Sequence, residues 1–222
     1  AIRHMIKIHD LDQEQIDFIK MALLSLIESD PDLSNKRLFC EASISLQSKL
    51  ANPWEELYNL ARNFLTQTNT LNLGLQVWIS ITEITPEIHL LNYFEDLMNC
   101  IIATFETNDA EILINSINLF SELTSKIDIQ LFESYETLPQ LFLDEASACI
   151  KERRNYKESY TLFQCICKQL DIENPAFMTA AETFIEMAVQ ITASDLDAEI
   201  RSTCQPLMII ASKIFPDNVE SQ

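Results

Sequence analysis

The chain of 222 residues contains a single glycine, Gly74. Average usage of about 7% would give roughly 15 glycines in a chain of this length. Phosphate-binding loops of the types GxGxxG and GxxxxGKS/T need two or more glycines, so neither can be written in this sequence. Hairpin turns and β-bulges also draw on glycine, because it reaches positive φ at little steric cost. The sequence therefore predicts an all-α protein.

The charge balance favours basic partners. Asp and Glu number 34 against 15 Lys and Arg, which gives a formal net charge of −19. Such a surface disfavours binding to nucleic acid or to an anionic membrane. Hydrophobic residues make up 47% of the chain, far more than an acidic disordered segment holds. We therefore expect a folded domain with no direct nucleic-acid partner and no membrane partner.

Residues that could carry catalysis or bind a metal are scarce. The six cysteines contain no CxxC spacing, and the three histidines are His4, His9 and His89. None of these histidines lies in an HExxH motif or next to a cysteine pair with zinc spacing. We expect reduced thiols, no metal site, no cofactor, no catalytic residues and no enzymatic activity.

Apolar residues recur at helical spacing along nearly the whole chain. Polar N-cap residues such as Asp12 and Asp109, and the dipeptides Asp30-Pro31, Asn52-Pro53 and Thr85-Pro86, mark helix starts. The pattern predicts ten helices. Their expected spans are 12–29, 34–50, 53–68, 71–84, 87–106, 109–126, 134–152, 156–170, 175–192 and 196–214.

Short connections predict about five antiparallel helix pairs. The second helices of successive pairs start 37 to 46 residues apart, a period typical of HEAT repeats. We therefore predict an α-α superhelix, a HEAT-repeat solenoid, over residues 11–216, and we favour it over a single multi-helix globule. Its pairs would be 11–50, 53–84, 87–126, 134–170 and 175–214. Residues 1–10 would be a disordered start or cloning remnant, and 217–222 a tail.

The predicted helix 87–106 is apolar on two sides. Such a helix needs neighbours on both sides, as it would have inside a stack of repeats. The first stripe consists of Leu90, Phe94, Leu97, Ile101 and Phe105. The second consists of Ile88, Leu91, Met98 and Ile102.

Acidic residues lie at the predicted starts of two second helices. They are Asp109, Glu111, Asp195, Asp197 and Glu199. Their position in a first helical turn is explained by the helix dipole alone. The same residues would also line one edge of a solenoid with negative potential. Trp78, on another second helix, would either fill the core or face a partner, and we favour the core.

Several segments, in order, resemble the importin-β (karyopherin-β) family of nuclear transport receptors, and within it the importin-5 type. They are NKRLFCEASISLQSKL, PWEELYNLARNFL, LNLGLQVWISITEI, HLLNYFEDLMNCIIATF, FESYETLPQLFL and DLDAEIRSTCQPLMIIASKIFP. The resemblance covers nearly the whole chain from about Leu11. It begins around the family's third repeat, so we expect a fragment or a short homologue.

The resemblance implies a monomeric receptor that shuttles between cytoplasm and nucleus. Basic cargo proteins would contact the acidic second-helix residues named above, with Trp78 as a further candidate. Phe-Gly nucleoporins would bind in grooves between outer helices, where Met98, Leu141, Met178 and Ile185 are the candidates. Ran in its GTP form binds mainly through the earliest repeats of the family, which leaves Ran binding in doubt for this chain. The alternative is a HEAT-repeat scaffold subunit of a stable protein assembly.

Overall fold

The computed structural model describes residues 12–107, 109–135 and 137–151, with four isolated helical positions at Ala198, Ser202, Gln205 and Ile209. Every regular element within these residues is a helix, as the sequence predicts. The α-helices are α1 Gln13–Ser29, α2 Leu33–Gln47, α3 Glu55–Leu65, α4 Leu71–Ile84, α5 Glu87–Leu90, α6 Phe94–Thr104, α7 Ala110–Thr124 and α8 Leu138–Lys151. A 3-10 helix, Ile129–Ser134, lies between α7 and α8. The predicted helices 156–170 and 175–192, and all but four positions of 196–214, lie outside the described residues.

The chain divides into two compact units, Ala1–Asp96 and Leu97–Gln222, with the boundary inside α6. In the first unit α1 packs on α2, α3 packs on α4, and α2 packs on α4. Two helical hairpins therefore lie side by side through their second helices. None of the helices that the structure describes combines the length and the apolar content that a bilayer crossing requires. The division of the solenoid into five pairs stays a prediction.

Local hydrogen bonds begin the helices close to where the sequence predicts them. The Asp12 carboxylate accepts from the Gln15 backbone N–H at 2.8 Å, and the Gln15 side chain accepts from the Asp12 N–H at 3.2 Å. This reciprocal pair is a capping box at the start of α1. At α2 the cap is Asp32, whose carboxylate accepts from the Ser34 N–H at 2.8 Å. Both caps satisfy backbone donors that have no partner inside the helix.

Helix α3 begins at Glu55, two residues later than the Asn52-Pro53 signal predicts. Its N-cap residue, Trp54, makes no side-chain cap bond and is 1% exposed. The Gln47 side chain at the end of α2 instead accepts from the Trp54 backbone N–H at 2.6 Å. The core position of the indole and this bond from the preceding helix together override the local signal.

The predicted helix 87–106 is interrupted. Helix α5 ends at Leu90, a turn occupies 91–93, and α6 starts at Phe94. In the turn, the Tyr93 N–H donates to the Leu90 carbonyl at 2.9 Å. This bond spans three residues, as in a 3-10 helix, instead of the four that an α-helix spans. The Tyr93 ring packs against Trp78 on α4, with centroids 5.1 Å apart. The helix is therefore broken where Tyr93 contacts α4, although the sequence has no proline or glycine at 91–93.

The second unit is built around phenylalanine rings. Phe120 on α7 packs against Phe132 of the 3-10 helix at 5.6 Å and against Phe142 on α8 at 5.0 Å. Phe105 lies 5.3 Å from the same Phe142 ring. The predicted helix 134–152 therefore begins later, at Leu138, because the preceding residues form the 3-10 turn that buries Phe132.

Candidate functional site

The start of α7 exposes two of the predicted acidic residues. One Asp109 carboxylate oxygen accepts from the backbone N–H groups of Glu111 at 2.9 Å and Ile112 at 3.2 Å. Both Asp109 and Glu111 are exposed to solvent. Asp109 therefore caps the helix and also presents negative charge at the surface. The structural and the electrostatic interpretations of this residue are compatible.

The start of α2 has a similar acidic end that the sequence prediction did not include. Asp30 accepts from the Asp32 N–H at 2.8 Å and from the Asn35 side-chain amide at 3.1 Å, and Asp32 caps the helix. Because α2 is also the second helix of a pair, Asp30 and Asp32 are candidate cargo contacts on the same grounds as Asp109 and Glu111. The sequence signal was present, since Asp30 precedes a proline, but it was interpreted only as a helix start.

Trp78 lies in the core, as the favoured interpretation predicts. Its side chain is 0% exposed. The indole meets Tyr58 edge-on at 5.9 Å between centroids and Tyr93 at 5.1 Å, and the two tyrosine rings are 5.5 Å apart. The three rings join α3, α4 and the turn after α5. Trp78 is therefore not accessible to a cargo protein.

Some buried polar atoms around this aromatic cluster have hydrogen-bond partners and others do not. The Thr85 hydroxyl donates to the Ile81 carbonyl at 2.6 Å, so the Tyr58 hydroxyl, 2.7 Å from the Thr85 oxygen, is the donor in that contact. Burial raises the pKa of Tyr58 above its ordinary value. Within the described part of the chain, the Trp78 indole N–H and the Thr82 hydroxyl are buried without a hydrogen-bond partner.

The predicted Phe-Gly candidates divide into three groups. Met98 is 0% exposed, so the expectation that it faces a peptide groove is wrong. It packs in the core because α6 is covered on both of its apolar sides at this position. Leu141 is half-buried on α8 and keeps partial access to solvent. Met178 and Ile185 lie outside the described residues.

Three further cargo candidates, Asp195, Asp197 and Glu199, also lie outside the described residues. Among the residues that the structure does describe, no group of three or more His, Cys, Asp or Glu side chains is placed to hold a metal ion. Cys100 is a free thiol, and burial raises its pKa to about 11. A thiol with this pKa stays protonated near neutral pH and is a poor nucleophile.

A small groove lies between α2 and α4. It encloses about 60 Å³ and its lining includes Cys40, Ile44, Leu73 and Val77. An ion pair between Arg37 and Glu41, with 3.5 Å between nitrogen and oxygen, contributes polar groups to the same groove. Burial raises the pKa of the Cys40 thiol to about 12, so this cysteine is also unreactive. The groove has room for a small side chain or a few water molecules and shows no catalytic arrangement.

Comparisons with known proteins point to one architecture. No family model matches the chain, and no curated protein sequence matches it. A crystal structure of Kap121p bound to Nup53p matches 96% of this chain with a TM-score of 0.72 at 14% identity. A Kap121p variant with three acidic residues replaced by lysine matches 100% of the chain with a TM-score of 0.70, also at 14% identity. The chain has the fold of a karyopherin solenoid.

This likeness confirms the predicted fold class, an α-α superhelix of HEAT type. The chain covers 20% and 21% of the lengths of the two Kap121p chains, so it spans about a fifth of the structures it matches. At 14% identity the match establishes the fold alone, and it does not establish the importin-5 type. Binding must therefore be argued from surface residues such as Asp109, Glu111 and Leu141.

Proposed function

We propose that this chain is part of an importin-5-like nuclear transport receptor that binds basic cargo proteins and Phe-Gly nucleoporins. The receptor would shuttle between cytoplasm and nucleus. The observation that best supports this proposal is the likeness in fold to Kap121p, which one solved structure holds in complex with Nup53p. Ran-GTP binding, which the sequence resemblance implies for complete family members, is not part of this proposal.

Electrostatics supply the cargo part of the proposal. The net charge of −19 attracts basic proteins, and exposed carboxylates at the α7 start, Asp109 and Glu111, give that attraction a local contact. A single exposed ion pair contributes only about 0–1 kcal/mol. Cargo affinity must therefore come from several weak contacts, with the overall field raising the association rate. Such binding weakens as salt screens the charges.

Titration of a labelled Phe-Gly repeat peptide, followed by fluorescence anisotropy, tests the nucleoporin part of the proposal. The matched control is the same peptide with each Phe replaced by Ser. We expect saturable binding that the serine peptide lacks, and weaker binding by a Leu141→Ser variant whose helical content is unchanged by circular dichroism. Equal binding of the two peptides, or no binding of either, would remove the nucleoporin function.

A labelled peptide of alternating lysine and serine tests the cargo part. The variant Asp109→Asn/Glu111→Gln removes two charges while asparagine retains the cap, because it is as good an N-cap residue as aspartate. The control Glu14→Gln/Glu28→Gln removes the same charge from exposed positions of α1. We expect a loss of affinity of about two- to tenfold for the first variant only.

Equal losses in the two variants would show that net charge alone attracts the peptide, and the α7 contact would be withdrawn. Salt dependence then separates the proposed receptor from a scaffold. The affinity for a cargo bound through carboxylates should fall steeply between low and physiological salt. The affinity of a permanent interface dominated by apolar area should not.

A further inference from the structure

The second apolar stripe of the predicted helix 87–106 is divided by the structure into a covered and an uncovered half. Met98, in the covered half, is 0% exposed. Ile88 and Leu91, in the other half, are 70% and 42% exposed. These two residues, here called the Ile88–Leu91 patch, lie three positions apart on α5 and the turn that follows it. The sequence places apolar side chains there that the fold leaves in water.

The outward position of the patch is imposed by residues that alternate with it. Leu90 is 0% exposed, and the Tyr93 ring is packed 5.1 Å from Trp78 and 5.5 Å from Tyr58. Rotation of α5 to bury Ile88 or Leu91 would withdraw both of these anchors from the core. The exposure of the patch is therefore a consequence of the core packing and not of fraying at a helix end.

The sequence on both sides of the patch carries one sign of charge. Residues 63–125 contain eight Asp and Glu and no Lys or Arg. Two of these acids, Glu87 and Glu95, flank the patch in sequence and are exposed. Arg62, the last cation before this stretch, is engaged by Asp96 at 2.7 Å. A partner that covers the patch must therefore place positive charge close to these carboxylates or leave them facing apolar surface at a desolvation cost.

We propose that the Ile88–Leu91 patch is a docking surface for a basic amphipathic segment of a partner protein. Aliphatic side chains of that segment cover Ile88 and Leu91, and its lysine or arginine side chains meet Glu87 and Glu95. The inference rests on the proposed function in one respect, namely that the partner is basic. It adds a second element of recognition, an apolar anchor, and a surface separate from the α7 start.

A second exposed apolar pair in the same unit serves as the control. Phe18 and Met21 on α1 are also three residues apart, and they are 68% and 66% exposed. Lys20 lies between them in sequence, and its ammonium group is 5.6 Å from the centroid of the Trp54 ring. The α1 pair is apolar and exposed like the patch, but an acid, Asp17, and a cation, Lys20, both lie next to it in sequence.

The probe is a labelled peptide of lysine and leucine with the leucines at helical spacing, compared with the same peptide in which every leucine is serine. Fluorescence anisotropy at physiological salt gives the two affinities. We expect Ile88→Ser/Leu91→Ser to weaken binding of the leucine peptide by at least about tenfold and to leave the serine peptide unchanged. Phe18→Ser/Met21→Ser should change neither affinity by more than about twofold.

A charge variant provides independent evidence. Glu87→Gln/Glu95→Gln should weaken both peptides and make binding less sensitive to salt. The proposal is overturned if the leucine and serine peptides bind equally, if neither binds, or if the α1 variant loses as much affinity as the Ile88–Leu91 variant. A loss only in Asp109→Asn/Glu111→Gln would overturn this inference and leave the proposed cargo contact intact. A loss of affinity only in Ile88→Ser/Leu91→Ser would support this inference and contradict the proposed cargo contact at the α7 start.

Discussion

Gly74 on α4 approaches Phe64 on α3 so closely that a Cβ atom at position 74 would lie 3.0 Å from the Phe64 Cβ. The same Cβ atom would lie 3.1 Å from the backbone nitrogen of Leu65 and 2.9 Å from one of its methyl groups. Backbone atoms cannot give way as a flexible side chain does. The single glycine of the chain therefore permits a close crossing of two helices.

Replacement of Gly74 by alanine should destabilise the protein. Alanine is a better helix former than glycine by about 1 kcal/mol, so an unconstrained helix would gain stability. The overpacking against α3 opposes this gain, and we expect a net loss of about 1–3 kcal/mol in the free energy of unfolding. Urea unfolding measures it. Ser80→Ala in the same helix is the control, and it should leave the midpoint unchanged or slightly raised.

Removal of the Tyr58 hydroxyl should cost about 1 kcal/mol, because Thr85 loses a buried donor. Tyr58→Phe retains the ring contacts with Trp78 and Tyr93, so the change isolates the hydrogen bond. Tyr93→Phe removes a half-buried hydroxyl from the same cluster and should cost less. Equal losses in denaturant midpoint for the two variants would contradict the assigned bond.

The stability of the protein should fall in alkali through Cys40. The thiol has an ordinary pKa of 9.0, and burial raises it to about 12 in the folded chain. A raised pKa means that the stabilising contribution is complete below pH 9 and is lost as pH rises toward 12, because the unfolded thiol ionises first. The slope is about 1.4 kcal/mol per pH unit. Unfolding free energies of Cys40→Ala at several alkaline pH values should show a correspondingly shallower decline.

The cap of α7 separates the two roles of Asp109. Asp109→Ala removes the acceptor of two backbone N–H groups and should lower stability by about 1 kcal/mol. Asp109→Asn retains the acceptor, so its thermal midpoint should stay close to that of the parent protein. If the asparagine variant unfolds as easily as the alanine variant, charge rather than hydrogen bonding stabilises this helix start.

The helix starts were the most predictable part of the fold. Asp12 and Asp109 were identified as caps, and both accept backbone hydrogen bonds at the predicted positions. The start of α3 was predicted two residues too early, and the break after Leu90 was not predicted. Both depend on contacts with a neighbouring helix, since the Gln47 side chain on α2 accepts from the Trp54 N–H and Trp78 on α4 packs against Tyr93.

The surface residues were less predictable than the helices. The two apolar stripes of the segment 87–106 are visible in the sequence, but Met98 proved to be core and Ile88 proved to be exposed. Periodicity identifies which residues share a helix face. Whether another element covers that face depends on packing between segments far apart in the chain.

Helical class, acidic character and the positions of several caps follow from the amino acids alone, because the physical chemistry involved acts over a few neighbouring residues or over composition. The burial of Trp78, the exposure of the Ile88–Leu91 patch and the need for glycine at position 74 required the packed structure. Each of these depends on how closely one helix approaches another. That distance is set by many side chains acting together and is not encoded in any local motif.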